Sequence, residues 1–205
     1  ILPNNVHFTF YEGTFLLGKT NLESDVYDIL YFARRDVEIA IIPSFIKVIK
    51  PFAFDSCKNL QRIEFANHSE LRTIANNAFK NSSIESISIP SSIEELEEEW
   101  CANINNLIKV EVKVNGKENI MYYDNKFLLG KSDQKSDIFD ILIFARRNIE
   151  NAVIPSFIKR ISSYAFHYCI KLNRVFFEEN SNLISIGKSA FYSSNIERIT
   201  IPSSI

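Results

Sequence analysis

The sequence predicts an α/β solenoid with a parallel sheet on its concave side, short helical turns on its convex side and a β-hairpin in a longer unit. Three observations carry that prediction. Tyr11 to Ile93 aligns without a gap on Tyr123 to Ile205 at an offset of about 112 residues, with roughly half the positions identical. Inside each copy runs a shorter period of about 23 to 24 residues, the spacing of stacked-coil architectures. Each short unit opens on alternating apolar residues, as in Ile84, Ile87 and Ile89, which place their side chains on one face of a strand.

The units run from Val37 to Asn59, Leu60 to Ser83 and Ile84 to Asn106, and resume at Ile149, Leu172 and Ile196. After the first strand a proline such as Pro90 is expected to end its pairing, because proline brings no amide to the ladder. Next comes an Ile/Leu-x-x-Ile step (Ile46/Ile49, Leu71/Ile74, Ile158/Ile161, Leu183/Ile186), expected as a second short strand. A small-aromatic pair follows, Ala53-Phe54, Ala78-Phe79, Ala165-Phe166 and Ala190-Phe191. It reads as one helical turn, too short to stand alone and ordered by inserting its Phe between coils. Unit Ile84 to Asn106 carries Trp100-Cys101 there instead, an inversion of large and small that keeps the summed volume.

Leu107 to Asn148 is nearly twice a normal unit. Asp124-Asn125 between Tyr122-Tyr123 and Phe127-Leu128-Leu129, and Glu12-Gly13 in the other copy, suit a tight hairpin turn with positive φ. A third strand is expected over Ile138 to Phe144, mirrored by Val26 to Phe32. The join from Ile93 to Val114 keeps its apolar rhythm, so residues 1–205 are expected to form a single continuous solenoid of two long repeats, 1–112 and 113–205. The chain opens inside a long unit and stops where the first copy continues with Glu94, so it reads as an excerpt of a longer array that associates end to end or sheet to sheet.

The pattern Ile-x-Ile-Pro-x-x-Ile-x-x-Ile-x-x-x-Ala-Phe-x-x-Cys, seen in Ile42 to Cys57 and Ile154 to Cys169, resembles the BspA-like (Treponema-type) leucine-rich repeat. The Tyr-x-x-x-Phe-Leu-x-Gly-Lys segments resemble those that interrupt such repeats in large BspA-like surface antigens of protists. The resemblance implies a right-handed leucine-rich-repeat solenoid (horseshoe), a place at the cell surface in adhesion or antigen proteins, and no catalytic activity.

Composition agrees with a folded, uncatalytic chain. It is 46% hydrophobic and 23% charged, with a formal net charge of −2, so no bulk field draws it to nucleic acid or an anionic membrane. No apolar run reaches the roughly 18 residues that span a bilayer. Neither a phosphate-cradling glycine loop nor a nucleophile with its base is visible, and no cofactor or metal is implied. His7, His68 and His167 are expected at the surface, and Cys57 and Cys169 as inward packing groups. The run Glu94, Glu95, Glu97, Glu98 and Glu99 reads as a solvated convex edge in preference to a cation or basic-partner contact. The pairs Arg34-Arg35 and Arg146-Arg147 read as solvated strand ends, and Asn67 and Asn81 match the glycosylation acceptor pattern.

The strand register supplies the binding candidates. One outward column reads Ile39, Arg62, Ser86, Lys109, Asn151, Arg174 and Arg198, and its neighbour reads Ile41, Glu64, Ser88, Glu111, Val153, Phe176 and Thr200. Arg62, Lys109, Arg174 and Arg198, with Phe176 as an apolar anchor, form the expected site for an acidic or sulfated partner, a protein or glycan of a host cell or matrix surface. Pairing with Glu64 and Glu111 is the competing, solubilising use of the basic column. A lateral patch of Tyr122, Tyr123, Arg146 and Arg147 is the competing site, and an intracellular scaffold or structural spacer is the competing function.

Overall fold

The computed structural model describes residues 7–113 and 118–205; Val114 and the N-terminal Ile1 to Asn5 lie outside the described residues. The first copy holds β1 (Phe8–Tyr11), β2 (Phe15–Gly18), β3 (Ile29–Ala33), β4 (Ile39–Ile42), β5 (Val48–Ile49), β6 (Arg62–Phe65), β7 (Thr73–Ile74), β8 (Ser86–Pro90), β9 (Glu95–Leu96) and β10 (Lys109–Lys113). The second holds β11 (Ile120–Tyr123), β12 (Phe127–Gly130), β13 (Ile141–Ala145), β14 (Asn151–Ile154), β15 (Arg160–Ile161), β16 (Arg174–Phe177), β17 (Ser185–Ile186) and β18 (Arg198–Ile199).

Each short unit up to the one opening at Leu172 gives one concave strand and one two-residue lateral strand, and the unit opening at Ile196 gives its concave strand β18. The concave strands form two parallel sheets, β10-β8-β6-β4 and β14-β16-β18, so the concave surface is interrupted where the copies meet. β8 ends at Pro90 as expected: Pro90 is the last residue in register, opposite Lys113, its carbonyl turns to the Ile93 amide, and the Ser91 amide makes a final bond to the Lys113 carbonyl. The lateral strands extend two further sheets, β1-β2-β3-β5-β7-β9 and β11-β12-β13-β15-β17, each starting with an antiparallel hairpin. Glu12 and Gly13, and Asp124 and Asn125, all take positive φ, as a two-residue hairpin turn requires. The third strand begins later than the apolar pattern suggested. Asp28 and Asp140 stop it: the Asp28 carboxylate accepts from the Thr20 amide at 2.8 Å, and Asp140 accepts from the Ser132 amide and hydroxyl at 2.8 and 2.7 Å, folding the polar loop back on the chain.

The expected convex helical turns are absent: the described residues contain no helix. Each Ala-Phe segment is a pair of tight turns with a left-handed residue on either side, at Phe52 and Ser56, Asn77 and Asn81, Glu99 and Asn103, Tyr164 and Tyr168, and Ser189 and Ser193. A helix would bond its amides within one turn of chain. Here alternate amides go to the next coil instead, Phe54 to Ala78, Ser56 to Lys80, Phe166 to Ala190 and Tyr168 to Tyr192, while Ala53 and Cys57 close local turns. These bonds offset the local cost of left-handed non-glycine residues.

Inside, the turn aromatics Phe54, Phe79 and Trp100 stack as a column that Phe15 of β2 and Phe144 of β13 extend at its two ends, with neighbouring ring centres 5.2 to 6.2 Å apart. Trp100 occupies the alanine position, and its indole continues the column that the inverted pair would otherwise break. The apolar core of the first copy reaches through the junction to Ile120, Leu128 and Phe144.

Candidate functional site

The register aligns the first expected column within each sheet, Ile39, Arg62, Ser86 and Lys109 in one and Asn151, Arg174 and Arg198 in the other, and pairs part of the second, Ile41 with Glu64, Ser88 with Glu111 and Val153 with Phe176. The five candidate residues do not form one surface. Arg62 pairs with Glu64 at 2.9 Å and Lys109 with Glu111 at 3.0 Å, each within its own strand, so the first sheet neutralises itself. In the second copy Phe176 stands where the first has Glu64, and Arg174 has no carboxylate partner among the described residues; nor has Arg198. These two arginines are direct neighbours across β16 and β18, a like-charge pair that favours an anion between them. Phe176 is 48% exposed, with Val153 beside it. Arg174, Phe176 and Arg198 share one cavity of about 460 Å³ that also takes in Asn180 and Thr200.

The lateral patch does not form as expected. Arg147 is 2% exposed and therefore no surface contact. The long unit has no Ala-Phe turn, and the Arg147 guanidinium fills that level of the stack. Its Nη1 donates to the carbonyls of Ala145 and Ala165 at 3.3 and 2.9 Å, Nη1 and Nη2 reach the Cys169 and Cys101 sulfurs, and the Phe144 ring lies 4.3 Å from its carbon centre. Its amide donates to Leu107, across the junction. Arg146 is half-buried, Arg34 is ion-paired with Asp36, and Arg35 repeats the Ala165 contact at the equivalent Ala53 and adds one to the Phe52 carbonyl, from an exposed position.

Cys57 and Cys169 point inward as expected, and Cys101 is buried too; burial pushes the Cys101 thiol up to about 11 in spite of the nearby guanidinium. His7 and His68 are exposed, but His167 is not: it is 2% exposed, among the rings of Tyr164, Tyr168 and Tyr192. Burial, with Arg147 adding repulsion, drives its pKa down to about 4. No His, Cys, Asp or Glu cluster able to hold a metal occurs among the described residues. Of the two glycosylation acceptors, Asn67 is exposed, whereas the Asn81 amide is engaged between Asp55 and Asn103.

The repeating geometry has a counterpart among known families. The model of the BspA type leucine rich repeat region matches residues 28–128 and 139–205 in six copies. The chain belongs to the BspA-type leucine-rich repeat family. Among solved structures, this BspA-type chain is similar to the pneumococcal vaccine antigen PcpA, with 25% identity and a TM-score of 0.73 over 83% of this chain and 40% of that one. It also shares its fold with a leucine-rich cell surface protein of Faecalibacterium prausnitzii A2-165, at 22% identity and a TM-score of 0.64, covering 76% of this chain and 38% of that one. The repeat array thus spans about two fifths of the length of these two proteins. No curated protein matches the chain.

Proposed function

We propose that this chain is a non-enzymatic recognition module of a cell-surface protein, and that its second concave sheet binds an acidic or sulfated macromolecule through Arg174, Arg198 and Phe176. The observation that carries the reading is the difference between the two sheets: Arg62 and Lys109 are satisfied by Glu64 and Glu111, while Arg174 and Arg198 flank a cavity with Phe176 in place of Glu64, the one acid lining it, Glu178, accepting instead from the Ser156 amide. Two cations and an aromatic ring on adjacent rigid strands offer contacts with little ordering cost, and arginine and aromatic residues dominate interface hot spots. The surface location and the antigen role draw support from the two neighbours, one named a vaccine antigen and the other a cell surface protein.

The test is a titration with a sulfated polysaccharide and with a poly-glutamate peptide at several salt concentrations. Binding should weaken as salt rises, and Arg174→Glu with Arg198→Glu should cost ~1–2 kcal/mol. Arg62→Glu with Lys109→Glu should cost less, since those cations are already neutralised. Equal losses in both pairs, or none, would overturn the assignment and favour the scaffold or spacer role.

A further inference from the structure

At the seam between the copies, one level of the solenoid is unbuilt on its outer side among the described residues. The turn Glu99 to Asn103 accepts bonds from the preceding coil at Glu99, Trp100 and Ala102, but the amides of Cys101 and Asn103, which by the ladder's pattern point onward, meet no backbone carbonyl of a following turn among the described residues. The next turn, at Tyr164 to Tyr168, is bonded onward to Lys188, Ala190 and Tyr192 and not back to it. On the lateral side β9 is an edge strand, paired with β7 alone, so the Leu96 backbone on its other side has no partner among the described residues. Arg147 occupies the interior of this missing level and leaves its exterior open.

Two adjoining cavities of about 330 and 240 Å³, both bordered by Glu99, Ala102 and Tyr164, follow that level from the lateral to the convex side. Two residues with buried polar atoms that have no hydrogen-bond partner among the described residues line the second: Asn77 through its Oδ1 and His167 through both ring nitrogens. Buried polar groups are rarely left so, which points to a ligand at this place. Five glutamates, Glu94 to Glu99 without Leu96, border the first, against the cations Lys131 and Arg160, and Lys131 already lies over the Phe139 ring. Glu94 and Glu97 have partners in Arg72 and the Asn76 amide, leaving Glu95, Glu98 and Glu99 to face a partner's charge.

We propose that this seam groove binds an extended, lysine- or arginine-rich peptide segment, which supplies the missing level by pairing its backbone with Leu96, Cys101 and Asn103. Main-chain pairing at an exposed edge gives such complexes their affinity, and flanking side chains give selectivity. The acidic wall selects a basic segment, and the unpartnered polar groups near the tyrosines receive its polar end.

The probe is the blocked hexapeptide acetyl-(Lys-Val)₃-amide, titrated into ¹⁵N-labelled protein. Binding should shift the amides of Leu96, Cys101 and Asn103 and slow their hydrogen exchange, while the (Glu-Val)₃ peptide should leave them unmoved. Methylating alternate valine nitrogens of the probe should weaken binding by about ten-fold, a comparison that leaves the protein unaltered, and Glu98→Lys with Glu99→Lys should weaken it similarly. Absence of binding at millimolar peptide, equal binding of the methylated probe, or protection on the concave strands would overturn the proposal. Protection of the same amides by raised protein concentration alone would also overturn it, assigning the groove to a second copy of the chain.

Discussion

Arg35 and Arg147 are the same residue of one duplicated sequence, each over the equivalent phenylalanine ring and donating to one equivalent carbonyl, Ala53 and Ala165, yet one is exposed and the other is 2% exposed. The hairpins differ in the same way: Leu16 and Phe32 are half-buried, and Leu128 and Phe144 are fully buried. The coil from Ile84 to Asn106 makes the difference, since it covers the second hairpin and contributes Trp100 and Cys101 to its underside. A repeat's local sequence therefore sets which bonds are formed, and its neighbour sets how much each one matters.

The largest test of that lesson is to remove both arginines. Arg147→Ala should destabilise the chain by about 3 kcal/mol, because it opens a cavity and leaves buried carbonyls without donors. Arg35→Ala should cost less than ~1 kcal/mol, since water replaces its contacts. Urea denaturation measures both, and equal costs would break the comparison.

A second test uses Gly187 and Ala75, which occupy equivalent places. A Cβ at Gly187 would meet the Ser163 amide nitrogen at 2.3 Å, backbone that cannot move aside cheaply. Gly187→Ala should therefore cost about 1–3 kcal/mol by overpacking. Ala75→Gly should cost under ~1 kcal/mol, the ordinary penalty of added backbone freedom.

The pH response sharpens the contrast further. His167 takes the place of Asp55, whose carboxylate accepts from the Asn81 amide. Its pKa falls from 6.5 to about 4 on folding, chiefly through burial, so the unfolded chain binds the proton more tightly. Its stabilisation is complete above pH 6.5 and is lost as pH falls toward 4, with a slope of at most ~1.4 kcal/mol per pH unit. His167→Phe should flatten that stretch of the stability curve. Below it, Asp28 and Asp140 take over: burial opposes their ionisation, but hydrogen bonds from Thr20 and Lys47, and from Ser132 and Lys159, hold both carboxyls below the usual range.

Strands, hairpins and the outward columns were legible because two-residue alternation and turn chemistry are local properties, repeated here in two copies that check each other. The convex turns were not. An Ala-Phe pair suits a helical turn equally well, and nothing in the side chains of Phe52, Tyr164 or Tyr168 announces a left-handed backbone. That conformation is imposed by amides reaching the neighbouring coil. Arg147 and His167 were misread as surface groups for a related reason: their burial depends on a coil far away in sequence. Asp28 and Asp140 left a usable signal, an acid at the same place after each polar loop. The basic column was readable in register, but its division into a neutralised and a free half needed the side-chain pairing.

The turn ladder also bears on how the chain assembles. Its bonds join residues about one coil apart, as in Phe54 to Ala78 and Tyr168 to Tyr192. That span stays fixed however many coils are stacked, so relative contact order falls with length and folding can start at any adjacent pair and zip outward. The zipper meets one uneven step, the level of Arg147, where a guanidinium must leave water before the next turn can dock. Refolding is expected to proceed within each copy first and to pause at this seam, so the arginine that joins the copies in the native state is also the last bolt to close.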